Sequence, residues 1–191
     1  MGYEIAAGLG VKMADPTREV YVMVGDGSYL MMNAELVTAV QEGIKIIVVL
    51  VVNHGFQSIG ALSESVGGQR FGTSYRRRAS SGQLSGEYLP LDLAANAESL
   101  GVSVIRAANI GELRDALVLA RASAATTVIQ IEDDPLAAAP DSAAWWDVPV
   151  AEVATLESTR AALSRYESER SAQRRHLRPT VLDHVEPDAS S

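Results

Sequence analysis

The 191-residue chain contains no cysteine. Disulfides, thiolate nucleophiles and zinc–thiolate sites are therefore excluded. Basic residues are outnumbered: 16 Lys plus Arg stand against 24 Asp plus Glu, a net charge of −8. That balance disfavours a general binder of nucleic acid or of anionic membranes, which needs a basic surface. An anionic ligand stays admissible where local groups override the global field. Long hydrophobic runs are missing too. The longest uninterrupted one, Ile46 to Val52, is too short to span a bilayer. No basic, apolar leader opens the sequence, so the expectation is a cytoplasmic protein with neither a nucleic-acid nor a membrane partner. What is present is an apolar fraction of 47%, enough for a sizeable core.

The hydrophobic pattern predicts an alternating α/β chain. Residues 4–14 read as a helix broken at Asp15-Pro16. Val20 to Val24 reads as a strand. Asn33 to Glu42 reads as a helix with Leu36, Val37 and Val40 on one face and Gly43 just past its end. Lys45 to Val52 is apolar at nearly every position, the mark of a strand buried on both faces of a parallel sheet. After an irregular stretch, Asp92 to Leu100 reads as helix, Val102 to Arg106 as strand, Gly111 to Ser123 as helix and Thr127 to Ile131 as strand. The second of these helices carries Leu113, Leu117 and Ala120 on one face. The fold class is thus α/β, a doubly wound, mostly parallel sheet flanked by helices. Residues 1–150 form the expected main domain. Residues 151–191 hold a charged helix, from about Glu152 to Arg175, and a frayed tail.

Ligands of such sheets bind beyond the carboxyl ends of the strands. Two of those ends carry polar residues: Gly25-Asp26-Gly27 and Asn53-His54-Gly55. If the strands are neighbours, the Asp26 and Asn53 side chains lie roughly one strand spacing, about 5 Å, apart. A carboxylate and an amide oxygen are hard ligands suited to Mg²⁺, which takes its other ligands from phosphates and water. Gly25 and Gly27 allow a phosphate close to the backbone, and the helix start beyond them offers free N–H groups. Alone, Gly-Asp-Gly is also an ordinary tight turn. It is neither a dinucleotide fingerprint, since Leu30 stands where the third glycine belongs, nor a Walker loop, since Gly-Lys-Ser/Thr is absent.

Gly25-Asp26-Gly27 followed by Asn53, 27 positions after the Asp (53 − 26 = 27), resembles the cofactor signature of thiamine-diphosphate enzymes. The intervening "SYLMMNAELVTAVQEGI" resembles the acetolactate-synthase relatives among them. The resemblance covers residues 1 to about 150. It implies thiamine diphosphate and Mg²⁺ as cofactors, with Asp26, Asn53 and the Gly55 carbonyl as metal ligands. Gly27 and Ser28 would donate backbone N–H groups to the diphosphate. The usual signature ends in two Asn; here the first is Val52 and the metal-binding second is kept. Four further blocks, "VVNHGFQSIGALSESVG", "RFGTSYRRR", "LPLDLAANAESLG" and "WWDVPVAEV", resemble the hydrolases that open trihydroxycyclohexane-1,2-dione to a 5-deoxyglucuronate in inositol breakdown. The implied substrate is a small cyclic diketone, cleaved at a C–C bond with water as acceptor. An acetolactate-type carboligase or decarboxylase, or a non-catalytic cofactor-binding module, are the alternatives.

The resemblance also implies what the sequence does not carry. The Glu that activates the cofactor belongs to an amino-terminal pyrimidine-binding domain, usually of a neighbouring subunit. Glu4, Glu35 and Glu42 lie in the wrong context for it. Met1 matches the bulky residue that props the bent cofactor. The expectation is therefore one part of a longer enzyme or of a split complex, inactive alone, homo-oligomeric, with exposed apolar surface where the missing domain docks. Among other polar residues, His54 either transfers protons or packs beside the cofactor. Gln57 and Ser58 open a helix facing the crevice, where they touch cofactor or substrate. Arg76-Arg77-Arg78 grips a substrate or adjoining domain, or is a solvated face. Residues 63–90 form a functional or a mobile loop. Trp145-Trp146 anchors the tail on the domain or binds ligand.

Overall fold

The computed structural model describes residues 1–137 and 148–173. The expectations for Trp145-Trp146 and for the terminal dozen residues lie outside them. Four strands form one sheet: β1 (Tyr21–Gly25), β2 (Ile47–Val52), β3 (Ser103–Ala107) and β4 (Thr127–Glu132). Their order is β1-β2-β4-β3 and every pairing is parallel. The expected doubly wound sheet is therefore present. Val49 of β2 sits between Met23 of β1 and Ile129 of β4. This central place explains the continuous apolar sequence: Ile47, Val48 and Leu50 are all fully buried, with neighbours on both faces.

One face is covered by α1 (Glu4–Ala14), α3 (Glu35–Gln41) and α5 (Leu93–Ser99). Ile5, Leu36, Leu93 and Ala97 pack there with Val22, Val48, Leu50 and Val128. The other face packs Ile47 and Ile129 against Ala116 and Ala120 of α6 (Ile110–Ala122), with Leu113 and Leu117 partly buried. The starts of α5 and α6 are capped by side chains. The Asp92 side chain accepts from Ala95 N–H at 2.9 Å, and Asn109 from Glu112 N–H at 3.0 Å.

The helix expected from Asn33 is α3, and a short α2 (Asp26–Met31) precedes it across a break at Met32. The break is held by side chains: Tyr29 Oη and Asn33 Nδ2 both donate to Asn96 Oδ1, at 2.8 and 2.9 Å. The apolar face of α3 also differs from expectation. Leu36 and Ala39 are buried, whereas Val37 and Val40 stand half exposed. The end of α3 does follow the sequence. Gly43 takes φ +61°, Gly43 N–H donates to Val40 O and Ile44 N–H to Ala39 O, the paired bonds of a glycine-terminated helix.

By contact, the chain divides into two compact units, Met1–Ser65 with Gln69–Ser142, and Val66–Gly68 with Ala143–Ser191. The second contains the charged helix, α7 (Glu157–Ala172), shorter than expected at both ends. Within that unit Ser158 Oγ and Thr159 Oγ1 both donate to Gly67 O, at 2.8 and 2.7 Å. Among the described residues no helix is long and apolar enough to cross a membrane.

Candidate functional site

β1 and β2 are adjacent, so their carboxyl ends bring Asp26 and Asn53 together, as the sequence suggested. Asp26 is fully buried and serves as a hub for the backbone around it. Its Oδ1 accepts from Gly27 N–H at 2.8 Å. Its Oδ2 accepts from Asn53 N–H at 3.2 Å and Gly55 N–H at 3.1 Å. Burial holds the Asp26 carboxyl above the ordinary carboxylate range, while these backbone donors pull the other way.

The side chain of Asn53 completes the cluster. Its terminal amide atom nearest Asp26 lies 3.3 Å from Asp26 Oδ1 and 2.8 Å from the Gly55 carbonyl oxygen. Without a cation that atom is the amide nitrogen, which donates to both neighbours. With a cation among the three groups the amide turns and presents its oxygen. Metal–oxygen bonds of about 2.1 Å at right angles give an octahedral edge of roughly 3 Å. The two separations bracket that value, so the donor set fits a small hard cation. Among the described residues no cluster of three or more His, Cys, Asp or Glu suits a metal. A site of one carboxylate, one amide and one carbonyl is not a cluster of that kind.

Backbone geometry explains why the three groups meet. His54 has φ +61°, rare for a residue with a side chain. Gly55 follows at φ +142°, and a Cβ there would meet Thr73 O at 2.3 Å. Both turns bend the chain so that the side chain of Asn53 and the carbonyl of Gly55 face Asp26. Segment 73–75 lies across this bend: Phe56 N–H donates to Thr73 O at 2.7 Å and Tyr75 N–H to His54 O at 2.9 Å. The segment read as a functional or mobile loop is, over residues 69–90, tied down by such bonds. Further along, Arg77 N–H donates to Glu87 O and Leu89 N–H to Tyr75 O.

The other singled-out residues fall as follows. Gly25 precedes α2, and a Cβ there would meet nothing within 4 Å, leaving room for a ligand. At Gly27 a Cβ would meet the Phe56 ring at 2.6 Å, so the protein itself requires glycine there. The Gly27 N–H expected to face a diphosphate is engaged by Asp26. Ser28 is half-buried in the first turn of α2. Met1 is exposed, and the Gly2 beside it lies against Met31 and Met32. His54 stacks on Tyr88 with ring centroids 4.7 Å apart, and Arg76 lies over the Tyr88 ring at 3.8 Å. Of the three consecutive arginines, Arg76 is thus packed, and Arg77 and Arg78 are exposed. Gln57, expected at the ligand, is buried and bonded to Asn53 O, Ser74 Oγ and Arg70. Ser58 is exposed and lines a cleft of about 630 Å³ with Asn53, Arg70 and Asp133.

Four contributors were not foreseen: Phe56, Thr73, Arg70 and Tyr75. Phe56 and Thr73 leave one indirect signal, the glycines at 27 and 55 whose missing Cβ they occupy. The Tyr75 hydroxyl is buried without a hydrogen-bond partner. Burial, with the Asp26 carboxylate adding to it, pushes that phenol up to about 12.

A carboxylate, an amide and a backbone carbonyl thus gather at the carboxyl edge of a parallel sheet. The chain belongs to the family of the thiamine pyrophosphate enzymes, C-terminal TPP binding domain, which it matches over residues 1–131. This domain binds thiamine diphosphate, typically with Mg²⁺. Among its relatives are proteins named 3D-(3,5/4)-trihydroxycyclohexane-1,2-dione hydrolase. That of Geobacillus thermodenitrificans is 44% identical over 163 residues, 85% of this chain and 26% of the relative. That of Clostridium botulinum is 42% identical over 163 residues, 85% of this chain and 25% of the relative. One from Bacillus cereus, numbered 2, is 43% identical over 169 residues, 88% of this chain and 26% of the relative. The chain therefore spans about a quarter of the length of the curated relatives it matches. A solved structure, the thiamine diphosphate-dependent 4-hydroxybenzoylformate decarboxylase of Rhodococcus jostii RHA1, shares the fold. Its TM-score is 0.57 at 24% identity, over 70% of this chain and 23% of that one.

Proposed function

We propose that this chain is the Mg²⁺- and diphosphate-holding part of a hydrolase that opens the ring of trihydroxycyclohexane-1,2-dione to 5-deoxyglucuronate in inositol breakdown. The observation that carries the metal assignment is the convergence of the Asp26 carboxylate, the Asn53 amide and the Gly55 carbonyl. The substrate assignment draws on the 42–44% identity to hydrolases of that name, spread over 85% or more of the chain.

In this reading Asp26, Asn53 and the Gly55 carbonyl hold the metal, and the metal holds the diphosphate. Thiamine diphosphate supplies the electron sink for the broken C–C bond. Gly25 leaves the approach to the diphosphate open, and Ser28 N–H at the start of α2 faces negative charge. Gln57 contributes through Asn53. Met1 lies at the cofactor's edge. His54 holds or moves a proton beside the metal, its ring fixed by Tyr88.

The activating Glu is assigned to an amino-terminal domain or a partner subunit. Exposed apolar side chains support a docking face: Met1, Tyr3, Leu30, Met31 and Met32, together with Tyr21 and Met23 on β1. The test is ring-opening turnover of the 191-residue chain with and without the separately made amino-terminal domain of a relative. Turnover only in the mixture is expected. Turnover by the chain alone contradicts the assignment of the Glu, and a carboligation product from the mixture contradicts the hydrolase reading.

A further inference from the structure

We infer that Arg70 is a positioning residue for the metal site: acting through Gln57, it fixes the main chain of Asn53 and thereby the aim of the Asn53 amide. This rests on the reading of Asp26, Asn53 and Gly55 as the Mg²⁺ ligands.

Gln57 is the buried first residue of α4 (Gln57–Ser65). Its Nε2 donates to Asn53 O at 2.9 Å and to Ser74 Oγ at 3.3 Å. Its Oε1 accepts from Arg70 Nη1 at 3.0 Å. A guanidinium has donors only, so its presence decides which end of the Gln57 amide is oxygen. Without it the amide is free to turn, which brings Oε1 against Asn53 O, two acceptors face to face. Asn53 N–H is held by Asp26 Oδ2 at 3.2 Å. With Gln57 in place both main-chain groups of Asn53 are held, and its side chain is aimed by what holds them.

Arg70 is itself fixed. Its Nε donates to Glu64 Oε2 at 2.6 Å. Its carbonyl accepts from Thr73 N–H at 3.2 Å and Thr73 Oγ1 at 2.7 Å, which leads into the segment lying over Gly55. A second, independent feature of the sequence accommodates it. A Cβ on Gly60 would stand 2.7 Å from Thr73 Oγ1, 3.1 Å from Arg70 Cγ and 3.2 Å from Arg70 Nη1. The missing side chain at 60 leaves the space in which the arginine reaches Gln57.

The test measures Mg²⁺ affinity of the 191-residue chain in the presence of thiamine diphosphate, by calorimetry and by Mn²⁺ electron paramagnetic resonance, alongside Tm. Arg70→Met weakens metal binding about 10- to 100-fold, the range for outer partners of metal ligands. Arg70→Lys recovers part of the loss, because an ammonium still donates to Oε1. Gln57→Glu is as weak as Arg70→Met, since a carboxylate cannot donate to Asn53 O. If Arg70→Met does not fold, Arg70→Lys and Gly60→Ala carry the test, each expected to weaken Mg²⁺ binding. Wild-type affinity in the variants, with or without a lower Tm, overturns the inference. Absence of Mg²⁺ uptake by the wild type instead overturns the metal reading. In that case amide hydrogen exchange at residues 53–55 decides the positioning role: faster exchange in Arg70→Met sustains it and unchanged exchange overturns it.

Discussion

The proposed function pairs Asp26 and Asn53 as metal ligands, yet the fold depends on them unequally. Asp26 is wholly buried and its carboxylate accepts three backbone amides, from Gly27, Asn53 and Gly55. Asp26→Ala leaves those donors without partners in a site closed to solvent. At about 1 kcal/mol for each lost bond, the gross loss is about 3 kcal/mol. Relief of the buried carboxylate's desolvation offsets a part of it. The net expectation is a loss of about 2–3 kcal/mol, or roughly 4–10 °C in Tm for a domain of this size. Asn53→Ala removes a half-buried amide that, in the metal-free protein, donates to Asp26 Oδ1 at 3.3 Å and Gly55 O at 2.8 Å, so it loses about 1–2 kcal/mol, less than Asp26→Ala. Asp26→Asn falls between, because one oxygen still serves Asn53 and Gly55 while its NH₂ confronts Gly27 N–H. Urea unfolding of the metal-free proteins, followed by circular dichroism, ranks the three. The reasoning fails if Asn53→Ala is the most destabilised, or if Asp26→Ala unfolds with wild type.

Three further outcomes follow from the same geometry. Gly55→Ala forces a side chain into a φ of +142° and against Thr73 O, so it should lose about 3 kcal/mol or more and fold poorly at 37 °C; a wild-type melting curve would count against the role given to segment 73–75. Tyr75→Phe removes a buried hydroxyl that has no partner and should leave the metal-free protein equal to or about 1 kcal/mol more stable than wild type, whereas a clear loss in chemical denaturation would show that the hydroxyl is bonded. For pH, burial raises the Asp26 carboxyl in the folded, metal-free protein. Its stabilising contribution is present below the unfolded carboxylate value and is lost as pH rises through the raised folded value. Mg²⁺ needs the ionised form, so the rise in Tm on adding Mg²⁺ and thiamine diphosphate should grow over that same window. Melting curves at stepped pH check this, and an increment larger in acid contradicts it.

Much of the fold is legible because burial writes itself into composition. β2 is central and covered on both faces, so Ile47 to Val52 is uniformly apolar, and its neighbours follow from the α/β alternation. The Asp26–Asn53 pair is legible because a carboxylate and an amide stand at the ends of two apolar strands, where the hydrophobic pattern leaves them unexplained. What fails to show is anything set by contacts distant in sequence. The helix start at Asn33 is legible, but the short α2 before it and the bonds that hold the break at Met32 are not, because the Tyr29 and Asn33 side chains meet at Asn96. The order of the 69–90 segment depends on bonds from Thr73 and Tyr75 back to Phe56 and His54, which leave no periodicity. Gln57 is placed at the ligand by its position after the strand. Only the coordinates reveal that its two ends are taken, by Asn53 and by Arg70.

The central claim is that Asp26, Asn53 and the Gly55 carbonyl hold a Mg²⁺ that in turn holds the diphosphate. Its most direct measurement is a calorimetric titration of thiamine diphosphate into the chain, with and without Mg²⁺, repeated on Asp26→Ala and Asn53→Ala with the amino-terminal domain of a relative supplied. The account predicts saturable heat that requires Mg²⁺ and disappears in both variants, including Asn53→Ala, the one expected to be less destabilised. Binding that is indifferent to Mg²⁺, or retained at wild-type strength in Asn53→Ala, would contradict it.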